Sequence, residues 1–75
     1  MTKRLPVKAH ITGNVWKITT QVGAVVNEGD TVVIMESMKM EMPVESEVAG
    51  RVVEIITKEG SSAKEGEVLL HIVEE

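Results

Sequence analysis

Met38-Lys39-Met40 is the stretch of this chain whose residue types and placement could do chemistry. Four of the five methionines, Met35, Met38, Met40 and Met42, crowd into eight residues, and Lys39 stands between the middle two. The chemistry open to that position is the chemistry of an amine. A lysine by itself is usually a solvated loop residue; what singles out Lys39 is its place in a repeat. Sliding the chain by 37 residues lays 5–38 on 42–75 without a gap, with nine identities in 34 positions. The identities are Pro6/Pro43, Val7/Val44, Gly13/Gly50, Val15/Val52, Ile18/Ile55, Thr20/Thr57, Gly23/Gly60, Glu28/Glu65 and Gly29/Gly66. Lys39-Met40-Glu41 is left over between the halves. A repeat this short cannot bury a core alone, so the halves are expected to pack about a pseudo-two-fold axis. The axis makes the central connection equivalent to the chain termini, which puts the two at opposite ends and Lys39 on a projecting tip.

No other set of residues competes. His10 and His71 stand apart, without Cys or paired carboxylates at ligand spacing, so no metal site is expected. Glu28-Gly29-Asp30 and Glu65-Gly66-Glu67 recur at matched places, which argues for turn chemistry rather than catalysis. Neither a Ser/His/Asp set nor a phosphate loop nor a general acid/base pair is present, so no catalytic residue is assigned.

The elements that must position the lysine are strands. Val15, Ile18, Val32, Val33, Ile34, Val52, Val53, Ile55, Ile56, Val68, Leu69, Leu70 and Ile72 lie in short, mostly β-branched runs bounded by Gly, and such runs favour the pleated, half-buried surface of a sheet. No window shows a helical apolar stripe. Strands are expected near 5–9, 14–20, 25–26, 31–37, 41–47, 51–57, 62–63 and 68–73. Pro6 and Pro43 cannot donate to a ladder and should sit at an unpaired side or a strand start. The central segment, Val32 to Val44, has no Gly, Asn or Asp. Tight hairpins want such residues, because their central positions take φ > 0. A reversal on Met-Lys or Lys-Met would carry strain, and strain that survives often serves function. Met38 and Met40 both flank the tip, so at most one can point inward.

Composition narrows the partners. The 75 residues make one domain, 1–75, with a core that is marginal at this size. Net charge is −4, from 8 Lys+Arg against 12 Asp+Glu, with no basic stripe; nucleic acid and anionic membrane are disfavoured. Trp16 is the sole aromatic, so no stacking platform for single strands exists, and it is read as a core or half-exposed strand residue. No apolar run follows Met1-Thr2-Lys3-Arg4 as in a signal peptide, and none approaches membrane-spanning length. A cytoplasmic setting is expected, and the leading Met and tail favour a natural start over a piece cut from a larger protein.

The octapeptide Glu36-Ser37-Met38-Lys39-Met40-Glu41-Met42-Pro43 resembles the attachment signature of biotin carboxyl carrier domains. The frame around it resembles that family in order and spacing: Val7-Lys8-Ala9, Gly13-Asn14-Val15-Trp16-Lys17-Ile18, Val26-Asn27-Glu28-Gly29-Asp30 and Ala49-Gly50-Arg51-Val52. The likeness covers the whole chain, and its shortness is most like free-standing biotin/lipoyl attachment proteins. Two departures stand out. Ala9-His10-Ile11-Thr12-Gly13 replaces the family's usual Ala-Pro-Met-Pro-Gly, and the gap-free repeat leaves no room for a thumb insertion.

The resemblance implies an all-β fold, a flattened β-barrel (barrel-sandwich hybrid) of two antiparallel four-stranded sheets with internal pseudo-two-fold symmetry. It implies covalent biotin on Lys39 as cofactor, with Met38, Met40 and Glu36 as flanking recognition residues. A biotin protein ligase would present biotinyl-AMP, and the Lys39 amine would attack its carbonyl to form an amide. An exposed lysine is overwhelmingly protonated at neutral pH, so the ligase must free the amine. Biotin would then move a carboxyl group between a biotin carboxylase and a carboxyltransferase, the domain acting as carrier and not as enzyme. Two other readings stay open. A lipoyl carrier shares the fold, although its lysine more usually follows Asp and precedes a small residue. An unmodified barrel-sandwich module would lack the Met-Lys-Met tip.

Overall fold

The computed structural model describes residues 3–74. Eight strands follow in chain order: β1 (Arg4–Lys8), β2 (Gly13–Ile18), β3 (Val25–Val26), β4 (Thr31–Ser37), β5 (Met40–Glu45), β6 (Gly50–Ile55), β7 (Ser62–Ala63) and β8 (Val68–Glu74). They form two four-stranded antiparallel sheets, ordered β1-β8-β6-β3 and β5-β4-β2-β7. The fold is the expected all-β flattened sandwich, with an envelope of 40 × 17 × 17 Å.

The sequence repeat reappears residue by residue in the hydrogen-bonded register. Adding 37 to β1, β3, β6 and β8 (modulo the repeat) turns the first sheet into the second. Leu5↔Ile72, Pro6↔His71 and Val7↔Leu70 become Met42↔Met35, Pro43↔Ile34 and Val44↔Val33. The β6–β8 pairs Val52↔Ile72 and Glu54↔His71 become Val15↔Met35 and Lys17↔Ile34. Turns follow suit: Gly66 donates to the Ala9 carbonyl and Gly29 to that of Ser46, each at 2.8 Å. Each half supplies the two inner strands of one sheet and the two outer strands of the other, so neither half can complete a sheet alone.

The buried core consists of symmetry mates. Val7/Val44, Ala9/Ser46, Val15/Val52, Val26/Ala63, Val32/Leu69, Val33/Leu70 and Met35/Ile72 are all buried, and with Gly50 they make up the buried set among the described residues. Strict alternation would bury only one of two successive strand residues. Here Val32-Val33 and Leu69-Leu70 are both fully buried, because the register shifts by one beside each pair. The extra residue of a bulge bends the strand and re-aims its neighbours. A matching bulge in β2 turns Trp16 outward, 44% exposed, with the Lys17 ammonium 5.6 Å from its ring. Trp16 is thus half-exposed and outside the core.

Both prolines lie on edge strands, Pro6 in β1 and Pro43 in β5, where a missing donor costs no ladder bond. Several strands end earlier than sequence patterning predicts: β2 at Ile18, β5 at Glu45, β6 at Ile55. Beyond these points the chain crosses between sheets, so apolar or β-branched residues such as Thr19, Thr20 and Ile56 serve the crossover.

Candidate functional site

The β4–β5 hairpin carries Lys39. Its last register pair is Ser37↔Met40, which leaves Met38 and Lys39 as the whole turn. Both take positive φ, 51° and 67°, and no other non-glycine residue among those described does so. Positive φ at both central positions is the pattern of a type I′ turn, whose twist matches that of the flanking strands. For residues with a Cβ this backbone costs about 1–2 kcal/mol each. The strain foreseen from the absence of Gly, Asn and Asp is therefore present, and it falls on Met-Lys.

The strain persists because the hairpin is held from both sides. β4 pairs with β5 through six register positions and with β2 on its other edge. Met35 in β4 is fully buried, and Val44 in β5 nearly so. Beneath the turn, Gly13 opens β2. A Cβ built on Gly13 would lie 2.6 Å from the Glu36 carbonyl oxygen and 3.2 Å from the Ser37 Cβ. Only glycine lets β2 approach the base of the hairpin this closely. Its mate Gly50 makes the same approach to the Val73 backbone at the opposite end. In the sequence Gly13 stands out only as a repeat mate of Gly50, and its distance along the chain from Lys39 gives no sign of this contact.

Lys39 is exposed, and among the described residues no carboxylate lies within ion-pair distance of it. Met38 is 93% exposed and Met40 63%, so neither points inward. Glu36 is partly buried in β4, between Asn14 of β2 and Glu41 of β5. Glu36 and Glu41 face each other directly across the ladder, a like-charge pairing that destabilises a sheet. The structure thus brings Lys39, Met38, Met40 and Glu36 into one tip. The histidines lie elsewhere: His71 approaches Glu54, Nδ1 to Oε1 at 3.2 Å, beside an Arg4–Glu54 ion pair on the other sheet, and His10 is exposed in the loop after β1.

The comparisons with known proteins agree with this fold. The family described as biotin-requiring enzyme, a biotin/lipoyl domain, matches residues 6–72. Among solved structures, the urea carboxylase of Kluyveromyces lactis is 34% identical with a TM-score of 0.88, over 93% of this chain and 6% of that one. A single-chain, multi-domain long-chain acyl-CoA carboxylase is 25% identical with a TM-score of 0.90, over 96% of this chain and 7% of that one. The chain therefore corresponds to a small part of each of these carboxylases. With the match running from the first strand into the last, the chain belongs to the biotin/lipoyl domain family.

Proposed function

We propose that this domain is a biotin carboxyl carrier, with biotin joined through an amide to Lys39. The observation that carries the reading is the turn itself: a lysine at the second position of a strained two-residue reversal, unpaired and exposed, between two exposed methionines. These features fit a covalently carried group, because the amine is open to an enzyme while the backbone beneath it is fixed.

The roles of the chain's own residues follow. β4 and β5 hold the amine at a set position, which lowers the ordering a modifying enzyme must impose. Met38 and Met40 offer apolar surface on either side of the amine, and removing water there favours the neutral form that a nucleophile needs. Glu36 adds an acceptor at the base of the tip for a donor on the partner. Biotin, when attached, supplies the ureido nitrogen that accepts and releases a carboxyl group. The domain supplies reach and recognition, and is not itself an enzyme. Its proposed partners are a biotin protein ligase, a biotin carboxylase and a carboxyltransferase; similarity to two carboxylases supports the last two. Methionine on both sides of the lysine favours biotin over lipoate.

Incubation of the full chain with a biotin protein ligase, biotin and ATP tests this. The intact mass should rise by one biotinyl group. Lys39→Arg keeps the charge but its guanidinium stays protonated; it should end labelling and change stability by less than about 0.5 kcal/mol. Labelling that survives in Lys39→Arg would refute the assignment. Gain of a lipoyl group with a lipoate ligase, and of no biotin, would hand the site to the lipoyl reading.

A further inference from the structure

Sulfur is distributed unevenly in this fold. The chain has no cysteine and five methionines, so any oxidation of sulfur falls on a thioether. Met35 is 0% exposed and sits across the ladder from Met42, which is 38% exposed. Met40 is 63% exposed and Met38 93%. Exposure rises toward Lys39, and among the described residues the two most open thioethers are its immediate neighbours.

A peroxide oxidises a thioether by two electrons. One peroxide oxygen forms the sulfur–oxygen bond, the O–O bond breaks, and the other oxygen leaves as water with both peroxide protons. The reaction needs access to sulfur. Met38 and Met40 are therefore open to it in the folded protein, and Met35 is shielded until the core opens. The fold should not register the change at the tip, because neither side chain packs in the core. An enzyme that encloses the amine would register it, since burying a polar sulfoxide without a partner is unfavourable.

We propose that Met38 and Met40 form a reversible oxidation site that controls modification of Lys39: as thioethers they admit the ligase, and as sulfoxides they exclude it. This rests on the reading of Lys39 as the attachment point. Sulfoxide reductases acting on the two epimers would restore the open state.

The test uses the full chain, hydrogen peroxide and peptide mapping by mass spectrometry. Met38 and Met40 should gain oxygen at least about tenfold faster than Met35, with the circular-dichroism melt unchanged. The oxidised chain should then take up biotin from ligase, biotin and ATP at least about tenfold more slowly, and reductase treatment should restore its rate. Met38→Leu with Met40→Leu, whatever its starting rate, should lose its response to peroxide. Oxidation of Met35 as fast as Met38, or an undiminished labelling rate with both sulfoxides in place, would overturn the proposal. The oxidation map is read without the ligase, so a reduced chain that takes up no biotin condemns the attachment reading separately from the selectivity of oxidation.

Discussion

At the residue scale, the tip holds a conformation that its side chains disfavour. Met38 and Lys39 at φ 51° and 67° occupy positions where Asn and Gly are the usual choice. Replacing them by that pair, Met38→Asn with Lys39→Gly, should relieve the strain. Urea unfolding is expected to show a gain of about 1 kcal/mol, with biotin uptake lost entirely. A stability equal to or below that of the parent would mean that the ladder, rather than the turn residues, sets the cost. The Glu36–Glu41 pairing is a second local rule broken within the same hairpin. Local conflicts of this kind concentrate where function needs them. The Met-Lys turn meets that description on geometry alone.

At the element scale, the hairpin is only as well placed as the strand beneath it. Gly13 and Gly50 are symmetry mates that make equivalent close approaches, one under the lysine hairpin and one at the terminal end. Gly13→Ala forces a Cβ against the Glu36 carbonyl and should cost about 1–3 kcal/mol, as overpacking does. Gly50→Ala meets the Val73 backbone and should cost a similar amount. The two should part company in labelling kinetics, measured where both are folded. Gly13→Ala should slow biotin uptake by shifting the base of the turn, whereas Gly50→Ala should label at the parent rate. Equal rates for both would show that the tip is insensitive to its support. The bulges belong to this scale too, since they allow Val32-Val33 and Leu69-Leu70 to be buried together.

At the scale of the whole molecule, interleaving of the halves ties them into one core. The inner strands of one sheet come from the half that supplies the outer strands of the other, so unfolding one half removes ladder partners from both sheets. Urea unfolding followed by fluorescence of Trp16 and by circular dichroism should trace a single coincident transition. Leu70→Ala removes a fully buried side chain and should cost about 2–5 kcal/mol. In a domain of this size that is a large part of the total. Separate transitions for the two probes would mean that the halves are autonomous.

The sequence alone determined a good deal. The repeat carries the correspondence between the two sheets, because matched apolar and turn residues at a fixed offset demand matched strands, and the observed register follows that offset pair by pair. Lys39 could be picked out because it falls where the repeat breaks. Other features needed the tertiary structure. Which of the two residues at the reversal takes which turn position depends on how the β4–β5 ladder is registered, unbroken from Val33↔Val44 to Ser37↔Met40. The partnership of Gly13 with the base of the hairpin arises from β2 lying beside β4. The graded exposure from Met35 to Met38 is set by depth along one hairpin. Strand pairing is a contact between residues distant in the chain, and local composition cannot report which neighbour a strand will meet.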